Sequence, residues 1–277
     1  MIALTRMNRV LNIDPRNRRA LVEAGCVNAW ITRNASAHGL FYAPDPSSQT
    51  ACTIGGNIAT NSGGPHTLKN GVTTNHVLGY EMVLPDGTIE WLGVEPDGGE
   101  EVAGFDLRGA AIGSEGMFGV VTRVLVRLMK TPPAFKTFLC VFESVDEASQ
   151  AVSGIIAAGI VPAALEMMDQ LITQALEEAY HFGFPLDAGA VLIVELDGLP
   201  KGVEQQAKRV EEVCRQNNAS EVRLAKDDAE RVALWKCRKR AFGAIGRLSP
   251  NYVTQDGVVP RSKLPEIMRF ISSVSDK

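Results

Sequence analysis

The 277-residue sequence has no paired cysteines. Its five, Cys26, Cys52, Cys140, Cys214 and Cys237, lie far apart, form no C-x-x-C and are odd in number, which argues against a disulfide framework or a zinc ribbon. They read as small buried residues. The four histidines, His38, His66, His76 and His181, show no ligand spacing, so no metal site is expected from these residues alone. There is no run of about 18 uncharged apolar residues and no apolar core of signal-peptide type in MIALTRMNRVLNID, so no membrane span is expected and the chain reads as cytoplasmic. Basic charge is not in excess either: the formal net charge of −4 leaves no footprint for a phosphate backbone, and nucleic acid is not an expected partner. Neither G-x-x-x-x-G-K-[ST] nor a G-x-G-x-x-G between strand and helix occurs, which argues against a P-loop NTPase or a simple NAD-type dinucleotide fold. What remains is a globular composition, 45% apolar and 22% charged, long enough for one large or two ordinary domains.

Two textures divide the chain. Residues 1–131 are rich in Gly, Asn, Thr and Ser, with short apolar runs between turn signals, which predicts strands joined by loops. Arg19 to Gly25 alternates as a strand, and Val27 to His38 suits a short helix. Val77 to Leu84 and Thr88 to Leu92 flank Pro85-Asp86-Gly87 as a hairpin, and Val120 to Leu128 reads as a long strand. Beyond Thr131-Pro132-Pro133, residues 132–277 alternate strands (Phe135 to Phe142, Ala190 to Leu196, Ser220 to Ala225) with helices (Asp146 to Ala158, Asp169 to Tyr180, Gly202 to Asn217, Asp227 to Phe242). The spacing of Val203, Ala207, Val210, Val213 and Cys214 marks one apolar helix face. The class expected is α+β, with helices on one face of a sheet in the second domain.

Chemistry concentrates in two glycine clusters. Thr53 to Gly64 holds four glycines, two asparagines and three hydroxyl residues, a composition in which consecutive N–H groups could converge on an anion such as a diphosphate. The alternative is a solvent-exposed polar loop. Ile54 and Ile58, interleaved with the donors, point to packing. Gly113 to Gly119 (GSEGMFG) sets Glu115 among apolar neighbours, where a carboxylate needs donors; a tight turn whose Glu caps backbone amides is the plain alternative. With a hairpin between them, the clusters are expected to share one site.

The segments PDPSSQTACTIGGNIATNSGGPHTLKNG, VLGYEMVLPDG and FDLRGAAIGSEGMFGVVT resemble the successive FAD-contacting segments of the vanillyl-alcohol-oxidase type flavoproteins, with their PCMH-type FAD-binding domain. LEMMD, VELDG, ERVALWKCRKRAFGAIGRLSPNY and DGVVPRSKLP are similar to the branch that holds bacterial glycolate oxidase FAD subunits and, close by, D-lactate dehydrogenases. The resemblance implies the C-terminal part of such an FAD domain over 1–131 and a partial, ferredoxin-like substrate cap over 132–277. It implies that Thr53, Ile54, Gly55, Gly56, Asn57, Ala59, Thr60, Asn61, Gly63 and Gly64 hold the FAD pyrophosphate and approach the flavin, with Asp45, Ser47 and Ser48 lining the same crevice. Ser114, Glu115, Gly116 and Gly119 match the second flavin-domain loop, and Val120 and Val121 the strand at the adenine end.

The same resemblance places Arg238, in LWKCRKRAF, on a substrate carboxylate, which suits the planar guanidinium fork. Periodicity does not choose between Arg238 and Lys239, and a basic run of this kind is also what a solvated helix face looks like. Asp256 is expected either to position that arginine or to serve a turn, and the neutral Thr254 favours a short monocarboxylate. The implied activity is FAD-dependent oxidation of a short 2-hydroxy acid, glycolate or D-lactate, by hydride transfer to flavin N5. The implied partners are a second flavin subunit and an iron-sulfur subunit, which would be the chain's link to the inner membrane. The family's upstream arginine- and glycine-rich phosphate loop and its downstream H-A-G-D-G-N type motif, source of a divalent metal site and the catalytic base, are not in this sequence. The sequence is therefore read as an internal fragment, inactive by itself; a relative acting on another 2-hydroxy acid, or a remnant that binds no FAD, are the alternatives.

Overall fold

A computed structural model describes residues 2–98, 104–249 and 251–275. It separates into two compact units, 1–131 and 132–277.

The first unit is built on a five-stranded antiparallel sheet. Its strands are β1 (Val10–Asp14), β2 (Arg19–Glu23), β4 (Val77–Val83), β5 (Ile89–Gly93) and β6 (Val120–Arg127), in the order β1-β2-β6-β4-β5. A two-residue ladder joins β3 (Leu40–Phe41) to β7 (Met129–Lys130). Alternation decides which face is covered: Ala20, Val22, Tyr80, Met82, Val124 and Val126 pack onto Ile31 of α1 (Asn28–Ala35) and onto Ile54 and Ile58 of α2 (Ile54–Thr60). The expected hairpin is present, with Leu84 N–H donating to Thr88 O at 2.8 Å and Gly87 at φ 87°. The short helices α3 (Thr67–Asn70) and α4 (Leu107–Ala111) lie in the connections.

The second unit runs β8 (Ala134–Phe142), α5 (Val145–Ala157), β9 (Ala164–Asp169), α6 (Gln170–Tyr180), β10 (Ala190–Gly198), α7 (Pro200–Gln216), β11 (Glu221–Leu224), α8 (Asp228–Lys239), α9 (Ala241–Leu248) and α10 (Leu264–Ser275). The antiparallel order β11-β8-β10-β9 places the first strand beside the third and the fourth at the edge, the ferredoxin-like β-α-β-β-α-β arrangement with α6 added. The class is α+β, as expected, but helices cover both faces of this sheet rather than one. Cys140, Leu192 and Val194 pack against α5 and α7, while Leu139, Val191 and Ile193 pack against α6, α8 and α9. That is why AVLIVEL is apolar throughout instead of alternating: every residue from Ala190 to Leu196 is buried. The helix expected over Asp227 to Phe242 divides at Arg240, whose φ of −97° and ψ of 0° end α8 and begin α9. The strand β9, not anticipated, pairs its whole length with β10.

Candidate functional site

The Thr53 to Gly64 segment is not a loop over its first half. Thr53 caps α2, its Oγ1 accepting from Gly56 N–H at 3.4 Å. Ile54 N–H donates to Cys26 O at 2.9 Å, Gly55 N–H to Ala24 O at 2.8 Å and Asn57 N–H to Thr53 O at 2.9 Å. The amides of Ile54, Gly55 and Asn57, at the start of the helix, are thus satisfied within the chain. Gly55 answers to packing: a Cβ there would lie 3.0 Å from both Cβ and O of Ala24.

Polar side chains of this segment are also committed internally. Asn57, 2% exposed, accepts from Asn28 Nδ2 at 3.0 Å and donates to Ser62 Oγ at 3.2 Å. Thr60 Oγ1 donates to Gly56 O at 3.1 Å. Asn61, in the left-handed region at φ 49°, accepts from Thr74 N–H at 3.0 Å. Gly63 and Gly64 pass close to Thr67 and Asp45. Together these bonds tie the segment to its neighbours, and Ile54 and Ile58 are buried beneath it.

The second cluster docks on the first through its backbone. Gly113 N–H donates to Ile58 O and Glu115 N–H to Ala59 O, each at 2.8 Å. Residues 113, 115 and 116 all have positive φ, so the chain reverses tightly there and re-enters the sheet at β6. The Glu115 side chain is exposed, which corrects the expectation of a carboxylate buried among apolar neighbours: the left-handed backbone at φ 53° turns it to water.

Between the clusters lies a cleft of about 280 Å³ lined by Leu4, Gly55, Gly56, Ile58, Ala59, Met82, Ala111, Ser114, Gly116, Gly119, Val120 and Val121. Of the expected residues, Gly55, Gly56, Ala59, Ser114, Gly116, Gly119, Val120 and Val121 meet there. Thr53, Ile54, Asn57, Thr60, Asn61, Gly63, Gly64 and Glu115 do not line it; they cap, pack or brace the segments that do. Ser47 and Ser48 are exposed in a turn away from the lining, and Asp45 pairs with His66, Oδ2 to Nδ1 at 2.9 Å. Leu4, Met82 and Ala111 were not singled out from sequence. Met82 had a signal, as an inward position of the alternating β4, whereas Leu4 sits in a turn, its carbonyl accepting from Met7 N–H at 2.9 Å and passing close to Gly25. The lining is uncharged and mostly small, which lets a flat ring approach the backbone closely.

In the second unit, α8 presents Arg231, Trp235 and Arg238 on one stripe at spacings of four and three. Glu195, 1% exposed, lies directly across β10 and β8 from Thr137 and accepts from its Oγ1 at 2.7 Å. Trp235 Nε1 donates to the same Glu195 oxygen at 2.6 Å, and Arg231 Nη1 approaches it at 3.3 Å while stacking over Phe135. Arg238 Nε donates to Glu166 Oε2 of β9 at 2.6 Å. Thr254 and Asp256 lie in an exposed stretch without regular structure. Among the described residues no group of three or more His, Cys, Asp or Glu side chains is arranged to hold a metal, and no helix is long and apolar enough to cross a membrane.

Two family models match the chain: "FAD binding domain" over residues 1–93 and "FAD linked oxidases, C-terminal domain" over 131–277. Glycolate oxidase subunit GlcD of Escherichia coli strain K12 is 44% identical over 277 residues, all of this chain and 55% of that protein. A protein named probable D-lactate dehydrogenase, mitochondrial, from Danio rerio is 30% identical over 270 residues, 96% of this chain and 53% of its own length. The chain thus spans about half the length of the curated relatives it matches. Among solved structures an alkyldihydroxyacetonephosphate synthase superposes with a TM-score of 0.78 over 98% of this chain and 55% of that one, at 20% identity, a likeness of fold.

Proposed function

The chain belongs to the FAD-linked oxidases, and on that premise we propose that it supplies flavin contacts and a substrate cap to an enzyme oxidising a short 2-hydroxy acid, glycolate or D-lactate, to the 2-oxo acid. The observation that carries the reading is the meeting of the two glycine-rich segments in one uncharged cleft. Its volume lies near the lower end of small-molecule sites, about 300–1,000 Å³, and fits one ring system of FAD rather than the whole dinucleotide. Bound FAD supplies the hydride acceptor.

The chain's own residues bind and orient. Gly55, Gly56 and Ala59 on one wall and Ser114, Gly116 and Gly119 on the other hold a planar ring against backbone, and Ile58, Met82 and Val121 exclude water from its face. Arg238 receives the substrate carboxylate on its guanidinium. The electron-accepting partners proposed are a second flavin subunit and an iron-sulfur subunit, with the complex cytoplasmic or peripheral to the inner membrane through them. No metal ligand is assigned, and no step is routed through a metal.

The 277 residues alone span half of their relatives, and the behaviour expected of them is weak FAD binding without turnover. Titration of the purified chain with FAD, read by flavin fluorescence, and glycolate- or D-lactate-dependent dye reduction test this. Saturable quenching that is lost when the cleft is filled by Ala59→Trp supports the reading; no quenching, or robust turnover, overturns it.

A further inference from the structure

The stripe on α8 meets two carboxylates, and they do different things. Glu195 and Glu166 share one face of the second sheet, because Glu195 pairs with Ala164 and Ile193 with Glu166, two residues along. Glu195 has no solvent to stabilise it; its charge is tolerated because Thr137, Trp235 and Arg231 converge on it. Two of those donors are on α8, so the buried carboxylate fixes the rotation and axial position of the helix on the sheet. One turn after Trp235, Arg238 reaches Glu166, itself partly exposed. That bond uses Nε. Among the described residues no partner occupies the terminal Nη pair of Arg238.

A guanidinium tied through Nε and free at both Nη atoms has one direction left in which to grip a carboxylate with two parallel bonds. We propose that Glu166 and Glu195 are positioning residues that aim the Nη fork of Arg238 at the carboxylate of a small hydroxy acid, Glu166 by holding the side chain and Glu195 by holding the helix beneath it. This deepens the proposed function and rests on its reading of Arg238.

The test compares the chain with Glu166→Gln, Glu195→Gln, Trp235→Phe and Arg238→Gln variants. Glycolate is titrated against each, with ethylene glycol, which lacks the carboxylate, as the control. Binding is followed by tryptophan fluorescence and by the Arg238 Nε–H resonance in nitrogen-edited NMR. The wild type is expected to bind glycolate and not the diol and to show a slowly exchanging Nε–H. Glu166→Gln is expected to keep its circular dichroism and melting temperature, to lose that protected resonance and to weaken glycolate binding at least fivefold, a combination that a merely structural glutamate would not give. Should Glu195→Gln fail to fold, Trp235→Phe removes one donor of the network and is expected to weaken binding in the same direction. If Arg238→Gln abolishes binding while Glu166→Gln and Trp235→Phe bind as tightly as the wild type, the positioning proposal is overturned and the reading of Arg238 stands. If wild type and Arg238→Gln respond alike, the reading of Arg238 fails and the proposal with it.

Discussion

The backbone amide of Glu115 donates to the carbonyl of Ala59 at 2.8 Å, and this bond ties the second glycine-rich turn to the last turn of α2. The two walls of the cleft are therefore one hydrogen-bonded unit, and a change that displaces either wall is felt by the other.

Gly119 marks where that unit re-enters the sheet. A Cβ there would come within 2.6 Å of Val83 O and 2.7 Å of Met82 Cγ, and Met82 lines the cleft. Gly119→Ala is expected to cost about 1–3 kcal/mol through overpacking and to weaken FAD quenching, measured by thermal melting and fluorescence titration on the same preparation.

Asn57 braces the first wall from beneath. Replacing it with Leu removes the acceptor for Asn28 Nδ2 and the donor to Ser62 Oγ in a site 2% exposed. Asn28 Nδ2 keeps Pro44 O at 3.1 Å and Ser62 Oγ keeps Thr60 Oγ1 at 2.7 Å, so the expected cost is that of one unmet buried N–H of Asn28, about 1–3 kcal/mol. Urea unfolding should show a midpoint lowered at unchanged slope; an unchanged midpoint refutes the bracing role.

His76 supplies a pH dependence. It is 3% exposed, its Nε2 lies 2.7 Å from Asn70 O, and burial, followed by repulsion from Arg127, pushes its pKa below the ordinary value against the effect of the Asn70 bond. A histidine held neutral in the folded state takes up its proton more readily when unfolded. Stability is therefore fully present above the unfolded value of about 6.5 and declines as pH falls from there through the folded value. Asp14, held at about 2, and Glu23 and Glu81, both lowered, contribute stability that is lost only in more acidic solution. Denaturant unfolding between pH 7.5 and 5 should show the decline in the wild type and a flatter profile in His76→Gln.

Asp227 caps α8, with Oδ1 accepting from Glu230 N–H at 2.9 Å. Asp227→Ala is expected to destabilise the second unit by about 1 kcal/mol. Faster amide exchange confined to the first turn of α8, against unchanged exchange in β10, is the signature to look for.

Several elements were legible because their cause is local. The Pro-Asp-Gly hairpin, the helix face of Val203, Ala207, Val210 and Val213, and the capped start of α6 at Asp169 each depend on neighbours within a few residues. Apolar patterning also separated the two textures of the chain. It did not show that helices lie on both faces of the second sheet, since a short apolar run reports burial without saying what covers each side. β9 escaped notice because LEMMD mixes apolar and acidic residues; its glutamate is accommodated by an arginine 72 positions away.

The sequence by itself determined the composition class, the main strands and helices, and, through the order of its glycine-rich segments, the family. Tertiary structure alone decided which glycines line the cleft and which only let segments pass, that Glu115 faces water, and that Glu195, not noticed from sequence, anchors the helix that carries Arg238. The reason is distance along the chain. Periodicity and turn chemistry act over one or two turns, whereas Thr137 and Trp235 reach Glu195 across 58 and 40 residues, and pairings of that range exist only once the sheet has set its register.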